Sequence, residues 1–129
     1  MCIGKYTSKH SEHFYVVFRV IIGLMFFMHG FMKFSAMNVP VASLFGVAGV
    51  VEIIVGLGIL VGMFSRLAAV GGIITMVVAL ITQHFPKGIN PLANGGELAI
   101  LYLIAMLIIL GKGNGKASLE HTVLKKEHC

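Results

Sequence analysis

Glu52 is the only charged residue between Lys33 and Arg66. A carboxylate in so apolar a run has two kinds of work open to it. It can lock helices together through a buried ion pair, or it can bind a ligand and pass protons. Ionisable groups inside a membrane span are functional by default. Five further residues near the apolar runs carry chemistry: Arg19, His29, Lys33, His84 and Glu97. Glu52 and His29 are the candidate catalytic groups, because both exchange protons. Arg19, Lys33, Glu97 and His84 are the candidate ligand-binding groups. Each also has a plainer reading: ion pair, interior histidine, snorkelling lysine, wet helix end, or a first-turn acid favoured by the helix dipole. No metal site is expected. Cys2 and Cys129 lie at the two ends of the chain, with no C-x-x-C pair and no zinc-like Cys/His spacing.

These residues must be held by helices in a membrane. The chain has 129 residues, 57% of them hydrophobic and only 12% charged, too little charge to cover a soluble surface. Frequent Gly and Met and the absence of Trp suit closely packed helices better than the short alternating segments of a barrel. Apolar runs of about 20 residues predict four spans, at about 14–32, 41–63, 67–85 and 92–110, in one domain covering residues 1–129. The short "FSR" connection predicts an antiparallel hairpin of the second and third spans. "PKGINPLANG" ends the third. A cleaved signal peptide is not expected, since the first run is too long for one and carries Arg19.

The net charge of +5 does not point to nucleic acid, because the basic residues flank apolar runs instead of forming one stripe. Lys5, Lys9, Arg66, Lys112, Lys116, Lys125 and Lys126 share one side of a four-span topology, with Lys33 and Lys87 on the other. Both termini are therefore expected in the cytoplasm of a multi-pass plasma-membrane protein. In "ASLEHTVLKKE", Ser118 as an N-cap and Leu119 and Val123 one turn apart suggest a short interfacial helix or a solvated tail.

Depth follows from a rise of about 1.5 Å per residue. Glu52 falls near the bilayer midplane, with Arg19 below and His29 above, each offset by roughly 7 Å. The expected pair is therefore Arg19–Glu52, since an unpaired midplane charge costs about 2.5–3.5 kcal/mol. Lys33, His84 and Glu97 are expected together at the outer rim, with Lys33–Glu97 as the ion pair there.

The order "RVIIGLMFFMHGFMK", "EIIVGLGILVGMFSRLAA", "GGELAILYLIAML", "GKGNGKASLE" resembles the DoxX family of small membrane proteins. Arg19, Gly23, Gly30 and Lys33 carry the resemblance in the first span, followed by Glu52, Gly56, Gly62 and Arg66. Gly96, Glu97, Gly113, Gly115, Ser118 and Leu119 complete it. Glu120 stands where the family usually has an aspartate. The resemblance implies an all-α four-helix transmembrane bundle. It also implies a redox-associated role, since named members are linked to quinone-coupled sulfur oxidation and to oxidative or quinone stress.

Three functions remain open. A quinone-interacting component would use Glu52, His29, Arg19 and Lys33 around the ring, as part of a membrane oxidoreductase with electrons from a redox partner protein. No covalent cofactor is expected, because there is no dinucleotide fingerprint and no Fe–S cysteine set; a membrane quinone is the candidate ligand. The alternative is a non-catalytic scaffold or assembly factor whose ion pairs only shape the bundle. A proton or small-solute carrier built on Glu52 comes third, and four short helices would need a homo-oligomer to form a pore.

Overall fold

The computed structural model describes residues 2–115, and every regular element among them is helical. The helices are α1 (Ile3–Lys9), α2 (Ser11–Ser35), α3 (Leu44–Val61), α4 (Ser65–Ala79), α5 (Pro91–Asn94) and α6 (Glu97–Lys112). Beyond Ala79 the α4 rod continues through a π-helical turn, Leu80–His84, and a 3-10 turn, Phe85–Lys87. Three stretches are long and apolar enough to cross a membrane: Ser11–Ser35, Leu44–Val61 and Ser65–Lys87. With 16 residues, α6 is shorter. At about 24 Å it falls below the roughly 30 Å of a hydrocarbon core, yet it packs along α4 and completes a four-helix bundle with α2 and α3. The interfacial helix or tail expected near residues 118–126 lies outside the described residues.

Local chemistry sets the helix ends. Ser43 caps α3, its Oγ accepting from Gly46 N at 3.0 Å. Gly62 closes α3 in the left-handed region at φ 75°. Pro86, which cannot donate an α-helical hydrogen bond, stands in the closing 3-10 turn, and the rod ends at Gly88, at φ 131°. The sequence reading opens the fourth helix near residue 92, but the chain first makes the single turn α5. Asn94 holds that turn: its Nδ2 donates to Gly88 O at 2.7 Å, and its Oδ1 accepts from Gly96 N at 2.7 Å. A left-handed Gly95 then redirects the backbone, and α6 begins at Glu97. The chain is also helical well before residue 14. The short α1 buries no side chain, so apolar periodicity gave no sign of it.

Glycines set how closely α2 and α3 pack. A Cβ at Gly23 would lie 2.4 Å from Leu60 N, and one at Gly56 would lie 2.4 Å from Phe27 N. The two backbones are in contact there, the close approach that small residues permit between helices in lipid. Phe26, Ile59, Met106 and Ile109 fill the centre, all fully buried.

The chain after α6 folds back to latch one end of the bundle. Asn114 Oδ1 accepts from Ser65 N at 3.1 Å and so caps α4 from a distance of 49 residues in sequence. Arg19 Nη1 donates to Asn114 O at 2.6 Å, Tyr15 Oη donates to Gly113 O, and Arg66 Nε donates to Leu110 O at 3.2 Å. Glu12 and Lys112 form an ion pair beside them.

Three stability predictions arise here, all readable by denaturant unfolding in micelles. Gly56→Leu forces a side chain into backbone and is expected to cost about 3 kcal/mol or more. Gly111→Ala, where a Cβ would meet nothing within 4 Å, is expected to change stability by less than about 0.5 kcal/mol. Asn114→Ala removes the α4 cap while leaving the carbonyl that Arg19 uses. It is expected to cost about 0.5–2 kcal/mol.

Candidate functional site

Glu52 lies on the α3 face that meets α2 and is 4% exposed. Gly30 makes its setting, since a Cβ there would lie 2.5 Å from Gly49 O and 2.9 Å from Glu52 Cβ. At this crossing Lys33 folds inward along α3. Its stem passes over Gly49, where a Cβ would lie 3.2 Å from Lys33 Cδ. Its Nζ reaches both carboxylate oxygens of Glu52 at 2.9 Å. The ammonium also sits 4.3 Å from the centre of the Phe45 ring, a cation–π contact that adds to the pair when water is excluded.

Two of the ion pairs expected from the sequence are thereby replaced. Arg19 does not bond Glu52; its guanidinium is buried at the latched end on the carbonyl of Asn114. That partner comes from a turn 95 residues away, which depth arithmetic on the helices does not include. Lys33 does not pair with Glu97 either. Glu97 is exposed in the first turn of α6, and Lys33 has the buried carboxylate in reach.

Around the pair lie two cavities. The larger, about 320 Å³, is lined by Phe26, His29, Lys33, Glu52, Gln83, His84 and Tyr102 among others. The smaller, about 200 Å³, is an apolar groove between α3 and α4. Lys33, Phe45, Glu52, Ala79 and Gln83 line both, so the ion pair stands in their common wall. The larger cavity therefore gathers Glu52, Lys33, His29 and His84 from the expected site and leaves out Arg19 and Glu97. His84 lies in the π-helical turn with Nδ1 3.2 Å from Asn94 O. Single π turns inside helices recur at functional sites, and this one brings Gln83 and His84 to the cavity.

Tyr102 was not among the residues expected from the sequence. It is 3% exposed on α6, packed edge-on against Phe26 and His29 with ring centres 5.2 and 5.5 Å away. Its hydroxyl has no hydrogen-bond partner among the described residues, although a buried tyrosine usually finds one. A search restricted to charged and histidine side chains passes it over. The usable signal was a phenol in the middle of the apolar run of α6. Among the described residues, no three His, Cys, Asp or Glu side chains converge to hold a metal ion. The cavity instead offers hydrogen-bond donors, acceptors and proton-exchanging groups beside aromatic walls.

The DoxX family model matches residues 14–85, more than half the chain. The chain belongs to the DoxX family. The matched segment holds α2 from Phe14 on, α3 and the α4 rod through the π turn, and with them Lys33, Glu52, His29 and His84. A protein of Haemophilus influenzae described only as uncharacterized is 32% identical over 92% of this chain and 97% of its own length. An uncharacterized membrane protein of Mycobacterium tuberculosis is 26% identical over 86% of this chain and 82% of its own length. No solved structure matches the chain. With its candidate spans, this DoxX-family chain is a membrane protein whose surroundings are a lipid bilayer.

Removing one partner of a buried pair leaves the other charge desolvated. Lys33→Ala is therefore expected to cost about 3–5 kcal/mol, whereas Glu97→Ala, at an exposed site, is expected to stay within about 0.5 kcal/mol. Unfolding titrations of the two variants in the same detergent check the contrast.

Proposed function

We propose that this DoxX-family chain is a quinone-binding protein of the plasma membrane, with both termini in the cytoplasm, acting with a redox partner protein. The observation that carries the reading is the buried Tyr102 hydroxyl, without a hydrogen-bond partner among the described residues, in the same cavity as the Lys33–Glu52 pair. A quinone ring has two carbonyl acceptors and flat apolar faces. The cavity has a phenol donor, the ammonium groups of Lys33 and Lys87, two imidazoles and the rings of Phe26 and Phe45. Its volume of about 320 Å³ falls at the lower end of the roughly 300–1,000 Å³ usual for small-molecule sites.

Reduction of a quinone to a quinol takes two electrons and two protons. The partner protein supplies the electrons, and the chain's part is to hold the ring and carry protons through Glu52 and His29. The same arrangement would let the protein act in quinone or oxidative stress. One observation favours a plain scaffold instead: the glycine contact of α2 with α3 and the Lys33–Glu52 pair already hold the bundle without a ligand.

The test is chemical. Protein purified from its native membrane in mild detergent is extracted with organic solvent, and the extract is assayed for quinone. Roughly one quinone per chain is expected from the wild type. Glu52→Gln keeps shape and hydrogen bonding, so it should fold better than Glu52→Ala although Lys33 loses its counter-ion, and the assembled variant should lose most of the quinone. Wild-type protein free of quinone that also binds none when it is added would favour the scaffold.

A further inference from the structure

The quinone reading accounts for the polar cavity but leaves the apolar groove beside it without a role. Leu44, Val47, Ala48, Val51, Ile74 and Val78 give the groove an aliphatic floor and sides. Leu44, Val47 and Ile74 are each more than half exposed, so in a bilayer the groove opens sideways to lipid. Its inner wall is the outer wall of the polar cavity, because Lys33, Phe45, Glu52, Ala79 and Gln83 border both. Ala79 is the last residue before the π turn and Gln83 lies within it. The local widening of the helix therefore falls where the two spaces adjoin.

Resting on the proposed quinone site, we infer that the α3–α4 groove is the subsite for the quinone's hydrocarbon tail and its lateral route from the bilayer. The ring lies on the Tyr102 side of the Lys33–Glu52 pair, and the tail passes beside Ala79 into the groove. Polar cavity and groove together match a molecule with one compact hydrogen-bonding head and one chain. Lipid tails are as apolar as the groove, so the tail gains little from burial itself. What the groove supplies is shape, and filling it should matter only to a ligand that has a tail.

The test uses the full chain in lipid nanodiscs and two ring classes, a benzoquinone and a naphthoquinone, each tail-less and with a decyl tail. Ala48 and Val47 border the groove and not the polar cavity. Ala48→Leu narrows the groove from inside, and Val47→Phe blocks it from the lipid side. Comparing each ligand between variant and wild type cancels its partitioning into the bilayer. For the ring class that binds, the tailed form should lose at least tenfold in affinity in both variants. The tail-less form should change less than twofold. Because Val47 is largely exposed, Val47→Phe decides the matter should Ala48→Leu misfold. If the variants bind tailed quinone as the wild type does, or lose both forms equally, the tail subsite is wrong while the ring site stands. If the wild type binds no ring of either class, the quinone reading falls and the tail subsite with it.

Discussion

Burying Glu52 among helices commits the chain to bring a cation to it, and much of one end of the bundle follows from how Lys33 arrives there. The ammonium comes from the neighbouring helix, so α2 and α3 must cross closely at Gly30 and Gly49. It must also travel back along α3, which works because no side chain at position 49 stands in its path. Isolated charges at the centre of a helix in lipid cost about 2.5–3.5 kcal/mol even on the mildest scale. Pairing offsets that, and the Phe45 ring shields the ammonium on its other side. The glycines of α2 and α3 thus serve packing and electrostatics together.

The two ends of the bundle are built differently. At the Asn114 end, Tyr15, Arg19, Ser65 and Arg66 bond to the last turn of α6 or to the loop after it, and those bonds tie α2, α4 and α6 into one latch. At the Lys33 end the polar groups face open space. A π turn, a redirected loop at Asn94 and a tyrosine hydroxyl with no partner among the described residues surround cavities instead of closing them. One end is thus closed by hydrogen bonds while the other keeps its cavities, a division that suits the proposed site reached from the membrane.

Most of the architecture was legible in the sequence, because apolar run lengths are set by the bilayer and the glycine positions by close helix contact. The identity of Glu52 as the central polar group was legible for the same reason: a lone charge in an apolar run has nowhere to hide. Its partner was not. Arg19 and Lys33 both lie on the inward stripe of α2, and depth alone favoured Arg19. What decides between them is the turn at Asn114, which takes up Arg19 from far along the chain. Tyr102 was missed because the search weighed charge and not buried hydroxyls. The π turn has no apolar-periodicity signature of its own, so its place next to the cavity could only be seen in three dimensions.

The claim on which the rest stands is that Glu52 is held by Lys33 and not by Arg19. Two double-mutant cycles measured by unfolding in one detergent test it: Glu52→Gln with Lys33→Met, and Glu52→Gln with Arg19→Met. The account predicts a coupling of about 1–3 kcal/mol in the lysine cycle and additivity within about 0.5 kcal/mol in the arginine cycle. Strong coupling of Glu52 to Arg19 with additivity to Lys33 would contradict it.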